Sequence, residues 1–149
     1  MSRRVVHPTD FSKASNAAFA KSLSEARERR GELVLVHVLS PAIPLAGAGE
    51  AYVTPSVYAQ LNKASRQWAQ KQLDRLVAKA KTARVRARGM LLEGVTHEQI
   101  VRAARRQRAD VIIMGTHGRT GVARFFLGSV AARVAAIARC PVLTVRGRA

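Results

Sequence analysis

The sequence predicts an α/β fold: a single-domain, doubly wound, five-stranded parallel sheet with helices on both faces. Three observations lead there. The chain has 149 residues, 48% hydrophobic and 23% charged, the proportions of one ordinary globular domain spanning 1–149. Short unbroken apolar runs rich in β-branched residues recur along it, the mark of strands buried on both faces. Between them lie longer stretches with apolar residues every three or four positions, which is helical spacing. Strand and helix alternate strictly, and parallel strands need such crossovers.

The first strand is the run around Val5-Val6, closing at Pro8-Thr9-Asp10. Residues 13–30 follow as a helix, with Phe19, Leu23 and Ala26 on one face. The second strand is Leu33-Val34-Leu35-Val36-His37-Val38-Leu39. Residues 40–52 are rich in Pro, Gly and Ala, carry no period, and read as a surface loop. Thr54-Pro55 supplies a cap and a proline for the first helical position, opening a long helix with the stripe Val57, Leu61, Ala64, Trp68, Leu73, Leu76, Val77 and Ala80. Between Thr82 and Glu93, Val85 and Ala87 alternate with Arg84, Arg86 and Arg88, as on an edge strand with one wet face. Thr96-His97-Glu98-Gln99 fits a capping box for a helix through Ile100, Ala103 and Ala104. Val111-Ile112-Ile113-Met114 is the fourth strand, and the last helix runs from about Ser129 with Leu127, Val130, Ala131, Val134 and Ala138 inward. Val142-Leu143-Thr144-Val145 closes the sheet. Its edge has little chain left to cover it, so a homodimer through this last strand is expected.

Charge is the unusual quantity. There are 26 Lys and Arg against 9 Asp and Glu, a net +17. Such a field attracts polyanions, but 20 of the 26 are Arg in an Ala-rich chain, which a GC-rich genome also produces. Both readings stay open. The single cysteine, Cys140, cannot form an intrachain disulfide, so a reducing, cytoplasmic setting is expected. The opening residues lack the apolar stretch of a signal peptide, and no apolar run approaches the ~20 residues of a membrane span.

In sheets of this kind ligands bind beyond the carboxyl ends of the strands, where strand order reverses. The ends to inspect are Pro8-Thr9-Asp10, His37-Val38-Leu39, Leu92-Glu93-Gly94 and Met114-Gly115. The last opens the most informative stretch, Gly115-x2-Gly118-x9-Gly128-Ser129. It is neither a Walker A loop nor a dinucleotide fingerprint. Glycines directly after a strand permit positive φ and close approach of backbone N–H groups to an anion. Gly128-Ser129-Val130 adds a second anion site at a helix N-terminus. Two such elements suit a di- or triphosphate. Asp10 has two readings, a hydrogen-bond acceptor for sugar hydroxyls and an N-cap for the helix that begins near Ser12, and it can be both. Arg119 and Arg124 lie in the glycine loop and have two readings, solvated charges or outer contacts to phosphates. His7, His37, His97 and His117 show no metal-ligand spacing, and His7 and His37 read as packed, hydrogen-bonded strand residues. Cys140, before Pro141 in apolar surroundings, reads as an inert buried thiol.

With these motifs the whole chain resembles the universal stress protein family. The similarity rests on Pro8-Thr9-Asp10-Phe11-Ser12, Val36-His37-Val38, Glu93-Gly94, Met114-Gly115-Thr116-His117-Gly118-Arg119, Leu127-Gly128-Ser129-Val130 and Cys140-Pro141-Val142-Leu143. The glycine spacing is that of the family's ATP-binding branch. The resemblance implies a Rossmann-like fold, a dimer, and an ATP site in which Asp10 meets the ribose or adenine side, Val38 and Met114 border the adenine, and Pro8 shapes the floor. Gly115, Gly118, Gly128, Ser129 and Val130 would carry the phosphates, with Mg²⁺ held through them. Relatives often have a small residue and a Pro after Glu93-Gly94; this chain has Val95-Thr96 there. His117 is the one general base near the phosphate loop, so any ATP hydrolysis is expected to be slow. A regulatory nucleotide-binding module is the first expectation. A nucleic-acid or other polyanion binder with a vestigial cleft is the second, weakened because aromatics do not interleave with the basic residues.

Overall fold

The structure is a computed structural model that describes residues 3–40, 54–117 and 127–147. Nine elements alternate: β1 (Arg4–Pro8), α1 (Lys13–Glu28), β2 (Glu32–Leu39), α2 (Pro55–Thr82), β3 (Arg86–Glu93), α3 (Thr96–Arg106), β4 (Val111–Gly115), α4 (Ser129–Ile137) and β5 (Val142–Val145). All ladders are parallel and the strand order is β3-β2-β1-β4-β5. The chain winds outward from β1 in one direction through β3, then returns to β4 on the other side of β1. That reversal lies between β1 and β4.

The period of two along each strand divides the core. Val5, Leu33, Leu35, Val111 and Ile113 turn to one face, where Ala26, Leu73 and Ala80 of α1 and α2 cover them. Their neighbours Val6, Val34, Val36, Ile112 and Met114 turn to the other, against Ile100, Ala103, Ala104, Ala131 and Val134 of α3 and α4. Unbroken apolar runs are required because both faces are dry.

Boundaries differ from the sequence reading where a cap intervenes. The first helix ends at Glu28 because Arg30 takes φ 51°, and the third strand begins at Arg86 because residues 82–85 finish α2 and turn. Ser12, not Asp10, caps α1, its side chain accepting from the Ser15 N–H. The capping box at 96–99 does not form: Val95 is the N-cap, and Thr96 instead lies 3.3 Å from Ser40 by its hydroxyl. On α2 the stripe is dry only from Ala69 onward, while Val57, Leu61 and Trp68 are 43%, 59% and 48% exposed. Leu127, expected inward, is exposed. Arg88 on β3 is not simply wet, since its guanidinium donates to Glu32, which also holds Arg4, and to Gln107.

Candidate functional site

At the reversal, the ends of β1 and β4 open onto a cleft of about 410 Å³, within the ~300–1,000 Å³ usual for small-molecule sites. Pro8, Asp10, Val38, Met114, Gly115, Gly128, Ser129 and Val130 all line it. Gly118, with Arg119 and Arg124, lies outside the described residues.

One wall is a turn built from short polar side chains. Thr9 Oγ1 accepts the Phe11 N–H at 3.0 Å and Asp10 Oδ1 accepts the Ser12 N–H at 2.9 Å. This folding places Phe11 at φ 64°, a region bulky L-residues rarely adopt. Packing holds it there: the Phe11 ring lies 4.4 Å from that of His37 and meets Trp68 edge-on at 5.5 Å. His37 Nδ1 donates to the Thr9 carbonyl at 2.7 Å, tying the end of β2 to the end of β1. His37 therefore fixes the spacing of the wall that carries Asp10.

The opposite wall is a backbone crossing. The Gly128 N–H donates to the Thr116 carbonyl at 2.6 Å, and a Cβ on Gly128 would stand only 2.8 Å from that oxygen. Gly128 has φ −56°, so close approach, not left-handed backbone, demands glycine. Gly115 is not left-handed either, and a Cβ there would make ordinary contacts at 3.5 Å or more. Among described glycines only Gly94 takes a positive φ, 136°. The positive φ expected directly after the strand is thus not taken at Gly115, and what demands glycine at 128 is the backbone crossing. Beyond it α4 begins with no side chain capping its first N–H groups, and Ser129 and Val130 face the cleft. Uncapped N–H groups at a helix start attract anions.

Two histidines stand behind the β4 side. His7 is buried, its Nδ1 donating to the Ile113 carbonyl at 2.7 Å, and burial pushes its pKa down to about 4, so the ring is neutral. His117 lines the cleft with Nδ1 2.8 Å from Thr116 Oγ1, while its buried Nε2 has no hydrogen-bond partner among the described residues. An unpaired buried ring nitrogen is costly in a finished site and natural in one that receives a polar ligand. Sequence reasoning gave no site role to Ser15, Ser40, Thr96, Ile100 or Thr116, which also line the cleft; their positions at strand ends and helix starts were the available signal. Cys140, expected buried, is only partly so, and burial nonetheless pushes its thiol up. No group of three metal-binding side chains occurs among the described residues, so a cation here would need oxygens from a ligand.

The profile of the Universal stress protein family matches residues 1–146. This chain belongs to the universal stress protein family. A universal stress protein of Methanocaldococcus jannaschii, MJ0531, is 34% identical over 146 residues, covering 97% of this chain and 82% of the relative. Among solved structures, that of MJ0577 aligns with TM-score 0.83 at 25% identity, covering 100% of this chain and 99% of that one. A universal stress protein solved in complex with cAMP aligns with TM-score 0.67 at 23% identity over 99% of this chain and 98% of the other, a likeness of fold. No helix among the described residues is long and apolar enough to cross a membrane.

Proposed function

We propose that this universal stress protein is a cytoplasmic, ATP-binding regulatory module whose bound state alters a homodimer or a partner surface. The observation that carries the reading is the convergence, in one cleft at the strand reversal, of the uncapped start of α4, the apolar pair Val38 and Met114, and the carboxylate of Asp10. Val38 and Met114 are almost fully buried, which suits an adenine slot. The helix start with Ser129 suits phosphates, and Asp10 suits sugar hydroxyls. The donor set fits ATP: no side chain caps the first N–H groups of α4, and a triphosphate offers acceptors for them. Mg²⁺ would be held through the phosphates. When bound, the nucleotide supplies charge and ordering, and the chain's own residues bind and orient it. The cAMP carried by a relative of the same fold is consistent with an adenine nucleotide.

Calorimetry with ATP and adenosine tests this. Ser129→Ala removes a hydroxyl at the helix start and leaves the backbone free, so ATP affinity should fall about tenfold, or 1.4 kcal/mol, with adenosine much less affected. Gly128→Ala is the poorer probe, because its Cβ would strike the Thr116 oxygen and disturb the wall itself. Equal losses for both ligands, or no ATP binding by a folded wild type, would overturn the assignment. The +17 charge favours a polyanion reading as the alternative. Sequence-selective DNA binding that persists at about 200 mM salt, where phosphate contacts alone fade steeply, would promote it.

A further inference from the structure

At the other end of the sheet, where β4 begins, the C-terminal ends of α3 and α4 enclose a second cavity of about 390 Å³. Its inner surface is apolar, with Ala104 buried, Ile112 fully buried, and Ile137, 49% exposed, on the open side. Arg105, Arg108 and Arg139 also line it, and no carboxylate does. None of these three guanidiniums has an ion-pair or hydrogen-bond partner among the described residues. The two helix ends work against them, each contributing roughly half a negative charge. Three guanidiniums against two such ends and the Asp110 carboxylate, which acts on the cavity residue Cys140, still leave the cavity about +1. An apolar slot with an unneutralised cationic lining matches a ligand with an apolar body and an anionic head: the body is desolvated against the accessible side chains of Val101, Ile137 and Ala138, and the head exchanges water for forked N–H donors.

We propose that this cavity is a second ligand site, separate from the cleft, for a small amphipathic carboxylate such as a medium-chain acyl anion. Guanidinium is the suitable cation here, because its planar fork pairs with a carboxylate through two N–H groups and is more weakly hydrated than an ammonium. The volume is of the size that encloses a single small molecule.

Cys140 lines the cavity and is the chain's only cysteine, so its alkylation reports occupancy of this site and not of the cleft. The experiment follows the rate of N-ethylmaleimide reaction with the full chain at fixed pH, with decanoate, decanol or phosphatidylglycerol vesicles added. Decanoate should protect Cys140 saturably, and decanol, with the same body and no charge, should need about tenfold more, equivalent to 1.4 kcal/mol. R105Q/R108Q/R139Q should abolish that difference while leaving decanol protection in place. All three arginines are exposed, and far-UV circular dichroism checks the fold of the variant. If the triple variant does not fold, the same loss of preference is expected in wild type as salt screens the guanidiniums. Equal protection by decanoate and decanol, an unchanged preference in the variant, or no saturable protection would overturn the proposal. Protection by vesicles matching that by free decanoate would overturn it in favour of a membrane surface.

Discussion

Arg30, Arg84 and Arg108 each follow a helix C-cap in the left-handed region, at φ 51°, 60° and 49°. In each turn the next residue's N–H returns to the helix, Gly31 to Ala26, Val85 to Ala80 and Ala109 to Ala104, which satisfies carbonyls at the cost of left-handed backbone on a β-carbon residue. Arg84 is exposed and its side chain has no hydrogen-bond partner among the described residues. Arg84→Gly is therefore expected to raise stability by about 0.5–1 kcal/mol in urea unfolding, against the usual penalty for adding glycine. His7 gives a pH dependence whose sign follows from its burial. Its pKa is 6.5 in the open chain and about 4 in the fold, so between those values the unfolded state binds more protons. Stability is complete above pH 6.5 and declines toward pH 4, by about 2 kcal/mol between pH 7 and pH 5. His7→Gln, which keeps an N–H donor without titrating there, should flatten that decline. Glu25 acts only lower, since Lys21 and Arg29 hold its carboxylate below the ordinary range. Residue identity made part of the cleft lining readable: Asp10, Gly128 and Ser129 could be picked out by chemistry and spacing. The reason for each glycine was not readable, because the crossing of Gly128 over Thr116 is a contact between segments the sequence does not place together.

Element types were legible because the central strands β1, β2 and β4 are dry on both faces and the helices on one, which writes two distinct periods into the chain. The lapse at α2 is instructive. Its apolar stripe continues unbroken from Val57 to Ala80, so periodicity alone assigns the whole length to the core. Burial stops at Ala69 because the sheet ends there, and a sheet edge leaves no mark on the helix that runs past it. The two halves should respond differently to mutation. Leu73 is fully buried between α2 and the sheet, and Leu73→Ala is expected to cost about 2–5 kcal/mol through lost burial and a cavity. Leu61→Ala, at 59% exposure, should stay within about 0.5 kcal/mol of wild type. A large loss at Leu61 in chemical denaturation would mean that this turn is covered in solution.

On the scale of the molecule, two features bear on the proposed homodimer: a net charge of +17 and the outer edge of β5. The edge can be read atom by atom. Pro141 and Val145 turn their carbonyls to β4, where Ile112 and Thr116 donate to them at 2.9 and 3.0 Å. Alternation along a strand then turns the N–H and C=O groups of Val142 and Thr144 outward. Leu143 is 38% exposed beside them. A second β5 lying antiparallel about a twofold axis would pair both edges and cover Leu143, which is how we expect the homodimer to form. Thr144→Pro removes an outward N–H and spares the ladder to β4, whereas Val145→Pro would strike the intramolecular sheet. Sedimentation of Thr144→Pro should show dimer affinity reduced at least tenfold, about 1.4 kcal/mol, with folding intact. Charge adds a second signature. Two +17 copies repel, and Arg139 and Arg146 flank the paired strands, so raising salt should tighten the dimer as the screening length falls from about 10 Å at 0.1 M to 3 Å at 1 M. A wild type monomeric at micromolar concentration, a proline variant still fully dimeric, or a dimer loosened by salt would place the contact between copies elsewhere.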